Sequence, residues 1–211
     1  PVQVVARRSY HRSVAYLLSS RNMTNSTIIR AKCVVLGEAT AGKTALIQSF
    51  LTDGAGFPKN YTMTLGLDVQ TKIINVPDSN TAVELYFFDC SGREFYRDMV
   101  MKMCDQPSLI FLVYDITSET SFKAIESFYE QVKEQAGNEK LKGILYGNKT
   151  DLTTRRLVSP KAGRELAAKL GLMYFEGTAK DNSGVEEPFF FMVNEWFKTY
   201  TDKTQAFKIL T

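Results

Sequence analysis

From Ile28 onward the apolar positions switch repeatedly between strand-like and helix-like spacing. Ile28–Leu36 is a short β-branched run ending at a glycine, and Lys43–Leu51 carries apolar residues at helical spacing. Gly54–Thr64 reads as a loop. Leu67–Val76 and Thr81–Asp89 read as strands joined by Pro77-Asp78-Ser79-Asn80, whose proline and Asn/Asp suit a hairpin turn, so this pair runs antiparallel. Leu109–Asp115 (LIFLVYD) and Gly143–Gly147 (GILYG) are unbroken apolar runs of the kind buried on both faces of a parallel sheet, each followed by a helical segment. Pro160–Leu170 and Glu186–Tyr200 predict helices, with Leu172–Glu176 a short strand between them. The sum is an α/β fold, a six-stranded mainly parallel sheet with one antiparallel strand and helices on both faces. Its ligand is expected beyond the carboxyl ends of the strands.

Composition narrows the chemistry. The chain has 211 residues, enough for one good core, and no apolar run approaches the ~20 residues of a membrane-spanning helix. Residues 1–30 carry five arginines (Arg7, Arg8, Arg12, Arg21 and Arg30) and no acid, which leaves 21 bases against 23 acids in the rest. That slightly acidic body argues against a nucleic-acid surface. The basic segment 1–29 is expected to be a flexible arm. A transit peptide, a partner-binding segment or a stretch upstream of a start at Met23 would share its composition. The single histidine, His11, lies in this arm, so neither histidine triads nor histidine metal clusters are expected in the folded body. Cys33, Cys90 and Cys104 lack the spacing of a zinc site or a redox pair.

Four short motifs then carry the chemistry. Gly37-Glu38-Ala39-Thr40-Ala41-Gly42-Lys43-Thr44 is a full G-x-x-x-x-G-K-[ST], placed directly after a strand and opening a helix, with Ala45 next in line. Such a loop turns successive N–H groups inward to cradle phosphate, and the helix N-terminus adds positive charge. Lys43 would bridge the β- and γ-phosphates, and the Thr44 hydroxyl would ligate Mg²⁺. Asp89-Cys90-Ser91-Gly92 ends the third strand, where Asp89 is placed to hold the metal through water and Gly92 to offer its N–H to the γ-phosphate. Asn148-Lys149-Thr150-Asp151 follows the GILYG strand. Guanine presents an N1–H and an exocyclic amine, two donors that the Asp151 carboxylate accepts together, whereas adenine would leave it unpaired. Asn148 would position the loop and the stem of Lys149 cover one purine face. Thr178-Ala179-Lys180 after the last strand would aim an N–H at guanine O6 from Ala179 and lay Lys180 on the other ring face.

With these motifs in this order, the chain resembles the Ras-like small GTPases over about residues 30–203, a single P-loop G domain, and within them the Rab-like group. Thr64-Leu65-Gly66-Leu67-Asp68-Val69 resembles the Rab switch I pattern. By that likeness Thr64 would ligate Mg²⁺ and sense the γ-phosphate, Tyr61 would fold over the phosphates and Phe57 would lie edge-on to guanine. More narrowly, the run Asp53–Thr64, the strand at Leu112–Asp115 and the tail Lys203–Leu210 resemble the Rab-like branch that serves intraflagellar transport complex B. The resemblance implies a GTP/GDP- and Mg²⁺-binding subunit of that complex, heterodimeric with its twenty-five subunit, a β-sandwich protein. It also implies contact with other complex B subunits and the BBSome, and residence in the cilium or flagellum and the cytoplasm near the basal body.

Two departures from the family pattern bear on rate. One residue past the D-x-x-G glycine, where Ras-like enzymes carry a water-orienting glutamine, stands Arg93, which cannot accept a hydrogen bond. Ala39 adds a Cβ where many relatives have glycine. Catalysis would fall to Lys43, Thr64 and Gly92 with Arg93 atypical, and hydrolysis is expected to be slow. The apolar tail 204–211 holds no cysteine, so no prenyl anchor is expected. Its Phe207, Ile209 and Leu210 follow an aromatic-rich helix whose surplus apolar face suits either the core or a protein partner.

Overall fold

The computed structural model describes residues 27–58, 60–137 and 141–210, residues 208–210 as backbone only. The basic arm thus lies almost wholly outside the described residues. Among the described residues six strands form one sheet in the order β2-β3-β1-β4-β5-β6. They are β1 (Thr27–Leu36), β2 (Leu67–Asn75), β3 (Thr81–Cys90), β4 (Leu109–Asp115), β5 (Gly143–Asn148) and β6 (Met173–Glu176). Among these described strands only β2 and β3 pair antiparallel, across the Pro77–Asn80 turn that Val76 N closes onto Thr81 O at 3.0 Å. The remaining pairs are parallel.

The helices are α1 (Lys43–Leu51), α2 (Arg97–Met103), α3 (Glu119–Lys123), α4 (Ile125–Gln135), α5 (Pro160–Leu170) and α6 (Glu186–Leu210). Capping explains several boundaries. Ser118 and Ser159 accept from Ser121 N and Ala162 N at the starts of α3 and α5, satisfying donors that no helical carbonyl reaches. Every residue of β4 is buried, as its unbroken apolar run requires, because helices cover both faces of the sheet.

Two apolar clusters flank the sheet. On one side α6 lays Phe189 onto Phe50 of α1 as a stacked pair with centroids 4.2 Å apart, with Phe87 and Phe111 completing the group. This fixes α1, and therefore the loop ahead of it, against the sheet. The other cluster packs α2, α4 and α5 around Ile110, Leu112 and Tyr114.

Three features depart from the pattern reading. The helix α6 continues ten residues past Tyr200, through the segment read as an apolar tail. A turn of 3₁₀ helix (Glu94–Tyr96) and α2 occupy a stretch whose hydrophobic pattern predicts no element. The third departure concerns two cysteines fourteen residues apart: the fold brings Cys90 Sγ to within 3.6 Å of Cys104 Sγ, both fully buried, a proximity that sequence spacing does not reveal.

Candidate functional site

The four motifs all emerge at the carboxyl ends of β1, β3, β5 and β6, so the sheet order alone gathers them on one edge. At the first of them the chain leaves β1 and enters α1 at Gly42, whose φ of 92° lies in the left-handed region. No side chain fits there: a Cβ would stand 2.3 Å from Asn148 Nδ2. That close approach lets Asn148 Nδ2 donate to Ala41 O at 2.9 Å and its Oδ1 accept from Ala179 N at 3.3 Å. Asn148 thereby ties three of the motifs to one another.

Lys43 is buried, with 6% of its surface exposed, and its Nζ donates to Gly37 O at 2.9 Å and Glu38 O at 3.0 Å. Burial pushes its pKa down, against the pull of Asp89, Cys90 and Glu38. The ammonium therefore sits folded inside the loop, poised for an anion. Gly92 packs on the same loop, since a Cβ there would meet Ala39 N at 2.2 Å. Glu38 also reaches Arg97 of α2 at 4.0 Å, and the Arg97 guanidinium lies 5.1 Å from the centre of the Phe128 ring.

Beside the loop, three oxygen-bearing side chains converge. Thr44 Oγ1 donates to Asp89 Oδ2 at 2.5 Å, Thr64 Oγ1 reaches the same oxygen at 3.3 Å, and the two hydroxyls are 3.0 Å apart. Asp89 is fully buried, and its Oδ1 has no hydrogen-bond partner among the described residues. Desolvation pushes its carboxyl up, only partly offset by Thr44, Lys43 and Thr64. A buried carboxylate with one unpartnered oxygen, next to two hydroxyls, is an all-oxygen donor set that fits Mg²⁺.

These residues open on a cleft of about 280 Å³ lined by Ala39, Thr40, Gly42 to Ala45, Tyr61, Thr64, Gly92 and Arg93. Gln48, Met63 and Ser91 also line it, at positions to which the sequence assigns no role. Tyr61 is 65% exposed at its rim, while Phe57, 41% exposed, lies outside the lining.

At the far end, Asp151 and the β6 loop meet. Thr178 Oγ1 donates to Asp151 Oδ1 at 2.7 Å and Lys180 Nζ stands 3.6 Å from Asp151 Oδ2. Lys149, at φ 70°, pairs with Asp115 Oδ2 at 2.7 Å, and Asp115 in turn accepts from Thr117 N at 2.8 Å. Asp115 escaped the sequence reading. Its one signal is an acid closing an otherwise apolar strand.

The comparisons with known proteins agree with this arrangement. The sequence model of the Ras family matches residues 32–198. The human intraflagellar transport protein 27 homolog is 40% identical over 182 residues, spanning 86% of this chain and 98% of the relative. Intraflagellar transport protein 27 of Chlamydomonas reinhardtii is 31% identical over 184 residues, 85% of this chain and 90% of the relative. Human Ras-related protein Rab-3A is 33% identical over 158 residues, covering 75% and 70%. On these matches, with the site motifs gathered at one edge of a Ras-type sheet, the chain belongs to the Ras family of small GTPases, whose members bind guanine nucleotide and hydrolyse GTP.

Proposed function

We propose that the chain is a GTP- and Mg²⁺-dependent switch that works as a subunit of an intraflagellar transport complex and hydrolyses GTP slowly. The observation that carries the nucleotide part is the convergence of the Thr44 and Thr64 hydroxyls on one oxygen of Asp89 beside a buried lysine, with Asp151 held at the other end of the same edge. Thr44 comes from the phosphate loop and Thr64 from the segment before β2, so their meeting point couples loop position to ligand.

In this reading the N–H groups of Glu38 through Ala45 cradle the phosphates, and Lys43 moves its ammonium from the Gly37 and Glu38 carbonyls onto the β- and γ-oxygens. Thr44 and Thr64 hold Mg²⁺ directly and Asp89 holds it through water. Bound there, the ion would neutralise charge developing on the transferred phosphoryl group. Gly92 offers its N–H to the γ-phosphate. Asp151 accepts from guanine N1–H and the amine, Ala179 faces O6, and the stems of Lys149 and Lys180 cover the ring faces. Tyr61 closes over the phosphates from the rim, and Phe57 reaches the base edge when the loop carrying it moves inward.

Arg93 lines the cleft where a water-orienting acceptor is needed, and a guanidinium donates only. Hydrolysis by the unassisted chain is therefore expected to run below about 10⁻² s⁻¹, the order reached by a GTPase with its arginine well placed in cis. Arg93→Gln is expected to raise the single-turnover rate by about tenfold or more, a barrier change of ~1.4 kcal/mol. An unchanged or slower rate would show that Arg93 does not limit hydrolysis.

The likeness to proteins named for intraflagellar transport supports a role in that transport and in the cilium or flagellum. Membership of complex B, and contact with the BBSome, extend this reading as proposals. The exposed Tyr200 and Phe207 on α6 support a protein partner along that helix, in keeping with a heterodimer with the twenty-five subunit. Coexpression of the two is expected to give a 1:1 complex by size-exclusion chromatography. Elution as separate species at micromolar concentration would refute the pairing.

A further inference from the structure

Behind the base-recognition loops runs a polar chain that none of the motifs requires. Arg156 follows the 3₁₀ turn Thr150–Arg155 that carries Asp151, and Glu176 ends β6 two residues before Thr178. The two side chains meet as a fork: Nη1 donates to Oε1 at 2.7 Å and Nη2 to Oε2 at 3.0 Å. Both are about four-fifths buried, at 20% and 19% exposure, and Nη1 also donates to Val158 O at 3.0 Å. The Tyr174 hydroxyl donates to Glu176 Oε1. A phenol has one proton, so the 2.8 Å contact between Tyr174 and Tyr114 is donated by Tyr114. Tyr114 is fully buried on β4, next to the Asp115 that holds Lys149.

A phenol keeps its proton at neutral pH, and desolvation pushes Tyr114 up to about 12 and Tyr174 higher still, so each hydroxyl has one proton to donate. The hydrogen bonds thus run from Tyr114 to Tyr174 to Glu176, and Arg156 closes on Glu176 from the other side. The Asp151–Thr178 bond braces the same two segments at their tips, whereas this chain braces them at their roots.

We propose that Tyr114, Tyr174, Glu176 and Arg156 are positioning residues for guanine selection: together they fix the spacing between the turn that carries Asp151 and the loop that carries Thr178 to Lys180. The inference rests on the assignment of Asp151 as the guanine reader. One carboxylate that accepts two neighbouring donors tolerates little rotation, because hydrogen bonds weaken steeply with angle. The phosphate grip belongs to another loop and does not share this sensitivity. Loosening the brace is therefore expected to erode recognition of the exocyclic amine before it erodes nucleotide binding in general.

Inosine nucleotides lack that amine, which makes them the probe. Titration calorimetry on the full chain gives affinities for GDP and IDP in the presence of Mg²⁺. Tyr174→Phe keeps the ring and removes one donor to Glu176, and it is expected to lower the GDP-over-IDP preference by about threefold with IDP affinity held within about twofold. Arg156→Lys, which keeps the charge and loses the fork, is expected to lower it by about tenfold. Lys169→Ala, breaking the exposed Lys169–Glu126 pair on α5 and α4, is expected to leave it unchanged. Equal losses for both nucleotides would mark the chain as scaffold only and overturn the proposal, as would no change in either variant. Should Arg156→Lys fail to fold, Tyr114→Phe supplies the second arm with the same expected direction. A parent protein that binds GDP and IDP equally would refute the Asp151 assignment itself, a result separate from those above.

Discussion

Replacing Asp151 by alanine is expected to lower GTP affinity by about 10²–10⁴-fold while leaving ATP affinity almost untouched. An ionised acceptor contributes roughly 1.5–3 kcal/mol per hydrogen bond, and the carboxylate is assigned two, one from N1–H and one from the amine. Adenine offers neither donor, so alanine takes nothing from ATP and removes an unpaired acid facing its N1 lone pair. Purine preference, which a donor-matched site sets at roughly 10⁴ or more, should therefore collapse toward parity. The structural cost is smaller. Thr178 Oγ1, which is buried, loses its 2.7 Å carboxylate acceptor and the exposed Lys180 its 3.6 Å neighbour, together about 1.5–3 kcal/mol, nearly all of it from the buried hydroxyl. Calorimetric titration with each triphosphate and Mg²⁺ reads the result. A variant that still prefers GTP by more than about a hundredfold would remove Asp151 from base recognition.

What was legible in the sequence follows from the same chemistry. Phosphate and guanine constrain residue type and spacing, so Gly37–Thr44, Asp89–Gly92, Asn148–Asp151 and Thr178–Lys180 stand out, and the sheet brings them to one edge. The strands were legible because burial on both faces forces a run such as Leu109–Asp115 to be apolar throughout. By contrast, α2 is seven residues long and follows a turn, too short for a periodic signal. Residues 201–207 are mostly polar and exposed or half-exposed, so nothing in them marks the continuation of α6. Long-range pairings stayed hidden for a different reason. Tyr114 meets Tyr174 across sixty residues and Cys90 meets Cys104 across fourteen, and only the strand order and helix packing decide such contacts. Asp115 is intermediate: its position at a strand tip hinted at the site, but its partner Lys149 already had a role.

Lys43→Met separates a switch from a subunit that merely folds around nucleotide. Methionine matches the length of the lysine stem and fills the same buried space, where only 6% of Lys43 is exposed. The Gly37 and Glu38 carbonyls lose donors at 2.9 and 3.0 Å, a cost of about 1–3 kcal/mol. Against that, the desolvation of an ammonium that burial already pushes toward neutrality is relieved. The two effects oppose each other, and the nucleotide-free variant is expected to melt within a few degrees of the nucleotide-free parent. Phosphate binding has no such compensation, and affinity should fall by about 10³-fold or more, the loss of strong charge-assisted contacts to two phosphates. At ligand concentrations near 1,000 times the parent dissociation constant, binding adds about 4 kcal/mol to the parent, or roughly 8–16 °C in melting temperature for a chain of this size. The variant should show almost none of that shift under the same conditions. A nucleotide-free variant that keeps its fold but loses GTP-dependent partner assembly fits a switch. Unfolding of the variant, with a nucleotide-free parent that is likewise unfolded, fits the alternative in which guanine nucleotide is a structural ligand without turnover.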